Sequence, residues 1–284
     1  MTSQLKTILL LGILSAIVIV LGGMLGGRSG LYMAFGLALL MNLGSYWYSD
    51  KIVLSMYHAK PAAYEDAPYL HTIVGELAER ANVPMPAIYI VPEDAPNAFA
   101  TGRDPEHAAV AVTTGILNLL SPEELRGVLA HEMAHIRNRD ILIQTIAGVM
   151  GSAIVTLANI FQFTAIFGGN REEGGNPLAA LFMAILAPLA ASLIQMAISR
   201  SREYLADETG AKLCNDPLSL ASALTQLGRI SGQIPMHSGN PSTAQLFIVH
   251  PAFAVSGNVN RLFSTHPPLE ERIARLQAMA RGRM

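Results

Sequence analysis

Cysteine is all but absent. Cys214 stands alone among 284 residues, which excludes an internal disulfide framework and a cysteine-built structural zinc site, and fits a reducing compartment. Charge is scarce as well: Asp, Glu, Lys and Arg make up 14% of the chain against 51% apolar residues, too little for the surface of an ordinary soluble domain. The mean hydropathy of +0.36 agrees. A net charge of −2 gives no basic field to attract phosphates, so nucleic acid is not an expected partner. There is no internal repeat and no nucleotide-binding glycine loop.

What is abundant is uncharged, apolar chain. Four stretches, 7–27, 30–48, 141–169 and 176–199, each hold 19 or more residues without a charge, enough to cross a hydrocarbon core of about 30 Å as a helix. Gln144, Asn159, Gln162, Pro188 and Gln195 interrupt the last two, which could therefore also pack as core helices. Tyr46, Trp47 and Tyr48 end the second stretch as an aromatic belt would. Lys6 precedes the first, but no small-x-small cleavage site follows it, so a removed signal peptide is not expected.

The short loop after the first span carries Arg28, and the loop after the third carries Arg171; the other Lys and Arg fall on the opposite side. The positive-inside rule then places both termini and both polar segments in the cytoplasm. The expected organisation is a transmembrane hairpin over 1–49, a first part of a cytoplasmic domain over 50–140, a second hairpin over 141–199 and the rest of the domain over 200–284. That domain is split in sequence and joined in space.

Within it lies Gly127-Val-Leu-Ala-His-Glu-Met-Ala-His-Ile-Arg-Asn-Arg-Asp140, containing His131-Glu132-x-x-His135, the H-E-x-x-H pattern of zinc hydrolases. Residues four apart share a helix face, so both imidazoles can reach one ion, while Glu132 projects beside it, where it can hold a water. Ser121-Pro122-Glu123-Glu124 is a helix start, and Leu125, Val128, Leu129, Met133 and Ile136 follow at helical spacing. A catalytic zinc takes three protein ligands and keeps a fourth position open. The third is sought in Ser201-Arg-Glu203-Tyr-Leu-Ala-Asp207, where two carboxylates share a face of a partly apolar helix. The plainer alternative is that Arg200 and Arg202 pair with them on a solvated surface.

Around the motif, 69–81 reads as an amphipathic helix, 87–91 and 108–113 as short strands, and 217–230 as a further helix. Asp94 to Gly102 fits a strand on the rim of the sheet, able to take up an extended peptide by strand addition, or equally a plain hairpin turn. The stretch 231–264, rich in Gly, Ser, Asn and Pro, reads as a long loop. His266-Pro-Pro-Leu-Glu-Glu-Arg272 opens a last amphipathic helix.

Two spans, Pro96-Asn97-Ala-Phe-Ala100, His131-Glu-Met-Ala-His135, two more spans, Ser201-Arg-Glu203-Tyr-Leu-Ala-Asp207 and His266-Pro-Pro-Leu-Glu-Glu-Arg272, in this order, resemble the M48 family of membrane metallopeptidases over essentially the whole chain. The resemblance implies a mainly helical (α+β), gluzincin-like domain with a small β-sheet, built on four transmembrane helices. It implies one Zn2+ per chain, held by His131, His135 and Glu203, with Glu132 as general base. It further implies that Asp207 orients a ligand imidazole, that His266 and Arg272 lie near the active site, with His266 steadying the oxyanion, and that Asn97, Ala98, Phe99 and Ala100 line the substrate cleft. The role implied is an inner-membrane, multi-pass zinc endopeptidase acting in protein quality control and the stress response. Damaged or misfolded membrane proteins would be its substrates, the lipid bilayer its surroundings, and other quality-control proteases its possible companions. A scaffold with a structural zinc is the alternative.

Overall fold

The computed structural model describes residues 3–152, 200–231, 233–239, 241–251 and 267–282. Its architecture is mostly helical with one small mixed sheet. The chain opens with α1 (Ser3–Met56), which Gly27 breaks at φ 59° and ψ −140°. This left-handed backbone is open to glycine at no steric cost. The two arms fold back on each other: Asn42 Nδ2 donates to Ser15 Oγ at 2.7 Å, with Ala34 and Ala38 buried on the second arm. Small residues of this kind let helix backbones approach closely. Outward, the hairpin shows water or lipid a run of large apolar side chains, Tyr32, Met33, Phe35, Leu37 and Leu40 among them. Counted over the described residues, no helix is long and apolar enough to cross a membrane. The fourth expected span and most of the third lie outside the described residues.

The sheet comprises β1 (Lys60–Pro61), β2 (Ala87–Val91), β3 (Ala98–Gly102) and β4 (Ala108–Thr113) in the order β1-β2-β4-β3. Only β2 and β4 run parallel; the outer pairings are antiparallel, and β3 is a rim strand. Side chains alternate across the pleat. Ile88, Ala98, Ala100, Val110 and Val112 join the helical core, whereas Val91, Phe99, Ala109 and Ala111 meet the end of α1 through Val53, Leu54 and Tyr57. The sheet is thus a middle layer.

Above it pack α2 (Pro68–Ala81), the short α3 (Thr114–Leu119), α4 (Pro122–Arg137), α5 (Arg200–Cys214), α6 (Pro217–Ile230) and α7 (Leu269–Ala280). The expected helix at 69–81 is α2, whose Leu70, Ile73, Val74 and Leu77 face the core; burying each such side chain contributes about 1.5–3 kcal/mol. At the centre is α4, buried at every position from Leu125 to Ile136 except Arg126. Its start is a full capping box: Ser121 Oγ accepts the Glu124 N–H, and Glu124 Oε2 accepts the Ser121 N–H. The other Glu124 oxygen accepts hydrogen bonds from Ser222 and Gln226, which ties α4 to α6. Two glycines let the backbones touch. A Cβ on Gly127 would stand 2.7 Å from Leu220 N, and one on Gly210 would stand 2.8 Å from His131 N.

The loop expected over 231–264 holds a short 3-10 helix, Pro241–Leu246. The segment after it lies along the outer side of β3 in an antiparallel bridge, Phe99 to Phe247. The rim expected to be open to a peptide is therefore covered, and every residue of β3 is buried. Residues between 62 and 141 and between 211 and 276 contribute to this one core.

Candidate active site

α4 carries His131 and His135 one turn apart, with Nε2 atoms 3.2 Å from each other. α5 lies across α4 at Gly210 and brings Glu203 to them: its oxygens are 3.8 Å from His131 Nε2 and 3.5 Å from His135 Nε2. All three side chains are buried, and their donor atoms fall within 4.8 Å of one another, as a metal site requires. Ligands at about 2.0–2.1 Å in a tetrahedron stand about 3.3 Å apart, close to these separations.

The far side of each imidazole meets a carboxylate. His131 Nδ1 is 2.9 Å from Asp207 Oδ1, and His135 Nδ1 is 3.5 Å from Asp140 Oδ2. Each Nδ1 therefore keeps the proton in the neutral ring, leaving both Nε2 lone pairs aimed at a common point. Two lone pairs and a carboxylate facing one another repel unless a cation lies between them. The carboxylates of Glu132, Asp140, Glu203 and Asp207 are buried together, with Arg202 beside Asp140 and Arg272 on Asp207. A divalent ion between the imidazoles and Glu203 would add positive charge where these acidic groups converge.

Arg272, on α7, is the bulkiest side chain fully buried among the described residues. Its Nε and Nη2 donate to the two oxygens of Asp207 at 2.8 and 2.7 Å, a bidentate fork, and its Nη1 donates to the Ile248 carbonyl at 2.9 Å. Burial opposes the ionisation of Asp207, but Arg272 outweighs it and holds the carboxyl down at about 2. Burial also opposes the charge on Arg272, yet Asp207 and then Glu203 push its pKa up. For His131, burial dominates over the pull of Asp207 and lowers its pKa to about 4. His135 behaves oppositely: burial lowers it, but the hydrogen bond to Asp140 and the charges of Glu203 and Glu132 push it up to about 9. This corner of the site attracts positive charge, as a proton or a metal.

Glu132, next to His131 on α4, is buried and feels the charges of His135 and Glu203. Burial raises its carboxyl to about 8, with His135 opposing and Glu203 adding. The backbone of Ala100 on β3 lowers it slightly, against the effect of burial. A buried carboxyl titrating near neutrality can both take up and release a proton.

Of the other residues singled out in the sequence, Asn97, Ala98, Phe99 and Ala100 form the start of β3 and its entry, beside Glu132. Asp207 and Arg272 join the cluster as described. His266 lies outside the described residues. Arg202 does not neutralise Glu203 or Asp207 on a wet face: its Nη1 stands 3.6 Å from Asp140 Oδ1. Asp140 itself was not singled out. The chain reverses at Arg139, a left-handed residue at φ 57°, and so returns Asp140 toward the helix it has just left. A second trio, Asp104, Glu106 and His107, also clusters, but Asp104 there caps a surface turn by accepting the His107 N–H.

Comparison with known proteins gives a consistent picture. The family model described as Peptidase family M48 matches residues 65–280. The "Protease HtpX homolog" of Syntrophobacter fumaroxidans is 55% identical over 285 residues, covering 98% of this chain and 100% of its own. That of Sulfurihydrogenibium sp. is 53% identical over 291 residues, covering 99% and 97%. Among solved structures, the crystal structure of S. mikatae Ste24p superposes with a TM-score of 0.51 at 20% identity. The match spans 93% of this chain and 62% of that one, a likeness of fold.

Proposed function

The chain belongs to peptidase family M48 and is a metallopeptidase, and on that premise we propose that it is a membrane-bound, zinc-dependent endopeptidase that cleaves damaged or misfolded membrane proteins. The observation that carries the reading is the convergence of His131 Nε2, His135 Nε2 and the Glu203 carboxylate on one point, with the buried Glu132 adjoining His131 on α4. The donor set, two imidazoles and a carboxylate, suits zinc, and a set of three leaves a position for water.

Zinc, when bound, supplies a Lewis acid for the scissile carbonyl and lowers the pKa of a water to about 7. Glu132 would take a proton from the water that adds to the scissile carbonyl carbon and deliver it to the amine nitrogen as the C–N bond breaks. Asp207 and Asp140 fix the two imidazoles. His266 is assigned to steady the oxyanion. Asn97 to Ala100 form a wall of the cleft.

Membrane attachment is supported by the α1 hairpin, whose Tyr32, Met33 and Leu40 are 72%, 77% and 69% exposed. Apolar side chains so open, in a row, are suited to lipid. The reading includes four spans, both termini and the split peptidase domain on the cytoplasmic side of the inner membrane, and one zinc per chain.

Digestion of unfolded casein by detergent-purified protein tests it, with Glu132→Gln alongside and zinc assayed in both. Cleavage by the wild type alone, with zinc near one per chain in each, is the expected result. Equal zinc with no cleavage by either removes the endopeptidase reading.

A further inference from the structure

In β3 the direction of each peptide group can be followed. The Asn97 carbonyl accepts the Thr113 N–H of β4 at 3.0 Å, so along the strand the Ala98 carbonyl and the Ala100 N–H turn the other way, to the outer rim. The Ala98 carbonyl accepts the Ile248 N–H at 3.2 Å, and the Ala100 N–H faces the same segment across the bridge of Phe99 to Phe247. The Ile248 carbonyl then accepts Arg272 Nη1, on the guanidinium that also grips Asp207. Ile248 is bonded on one side to the rim of the sheet and on the other to the residue behind the metal-binding cluster.

The neighbouring residues are fastened equally well. Asn97 Nδ2 donates to the Val249 carbonyl at 2.7 Å, and Asn97 Oδ1 lies 3.4 Å from Val249 N. Phe247 packs edge-on against Phe99 and Tyr57, with ring centres 5.1 and 5.0 Å away. All four side chains from Leu246 to Val249 are at least 96% buried. This is strand addition, with the added strand supplied by the chain itself.

We propose that the segment 246–249 occupies the peptide-accepting rim of β3 as an internal stand-in for substrate, so that a substrate gains the cleft only by displacing it. The inference rests on the peptidase reading and adds its regulation. It also defines the substrate segment: extended, antiparallel to β3 and apolar at successive positions, as unfolded chain and unpacked membrane segments are.

A reversible tether tests this in the full-length protein. Asn97 and Val249 face each other across the bridge defined by Phe99 and Phe247, and opposed residues in an antiparallel pair stand within disulfide range. Asn97→Cys with Val249→Cys, in a Cys214→Ser background, locks the segment on oxidation. Casein cleavage should fall at least tenfold on oxidation and return with dithiothreitol, while the wild type ignores both. An oxidised form, with its disulfide verified by mass spectrometry, that cleaves as fast as the reduced form overturns the proposal. Hydrogen exchange of 244–251 in the Glu132→Gln protein gives a readout free of catalysis. Loss of protection on adding casein supports displacement; unchanged protection with casein bound overturns it. Failure of the wild type to cleave casein counts against the peptidase reading alone, and the exchange result still judges the segment.

Discussion

Arg272 and Asp207, 65 residues apart in sequence, meet as a fully buried bidentate pair at 2.7 and 2.8 Å. Asp207 passes the contact on to His131 Nδ1 at 2.9 Å. Helix α7 thus sets the orientation of an imidazole on the central helix. The pair stabilises less by its attraction than by the damage its separation would do: either charge left alone in the core costs far more than in water.

Arg272→Leu leaves Asp207 and Glu203 buried without that guanidinium. Unfolding free energy is expected to fall by about 3–5 kcal/mol, read from urea melts at neutral pH. Adding Asp207→Leu should recover a large part of the loss. Two losses that simply add would show that the residues act independently.

The Asp207 carboxyl is lowered to about 2 from an ordinary 3.8. A depressed folded-state pKa contributes stability above the unfolded value, which is lost as pH falls through the folded one. The window is therefore about pH 4 to 2, and the loss is on the order of 2 kcal/mol. Melting temperatures taken down this range should drop in the wild type. A profile of the same slope in Asp207→Asn would assign the acid sensitivity to another group.

A Cβ at Gly210 meets the His131 backbone, whereas one at Gly36 meets nothing within 4 Å. Gly210→Ala should force α5 off α4, cost about 1–3 kcal/mol and weaken zinc binding, because Glu203 rides on α5. Gly36→Ala should leave zinc affinity unchanged. Equilibrium dialysis with zinc separates the two, and equal affinities would mean that the helices slide apart without harm.

Asp140→Asn removes the carboxylate behind His135 and should weaken zinc affinity about 10–100-fold, while the fold, followed by circular dichroism, persists. Full zinc affinity in the variant would assign Asp140 to Arg202 alone. In the metal-free protein the same change should lower the His135 pKa from about 9, which proton NMR of the ring can follow.

Residue spacing reveals whatever is local. Ser121, Pro122 and Glu124 mark where α4 starts, the four-residue interval places two imidazoles on one face, and the stripe of α2 follows from its apolar period. Spacing alone shows Glu203 as a carboxylate in want of a partner, and it is the family resemblance that makes it the third ligand. Asp140 escaped because its position depends on a left-handed arginine, a conformation that arginine does not advertise. The segment 246–249 escaped for a different reason. Its apolar run sits in a stretch whose glycine, serine and proline content reads as loop, and the strand it joins lies about 150 residues earlier. The plainer reading of Arg200 and Arg202 fails on burial, since Glu203 and Asp207 are 1% and 3% exposed.

The dispersal of these groups has a consequence in time. His135 leaves the ribosome roughly 70 residues ahead of Glu203 and about twice that ahead of Arg272, an interval of several seconds or more for each part at ~5–20 residues per second. Until α5 and α7 have been made, the helix bearing His131 and His135 has neither its carboxylate partner nor the guanidinium behind Asp207. A nascent chain of this protein therefore cannot assemble the cluster while its own unfolded segments lie beside it. Competence arrives only once α7 has emerged.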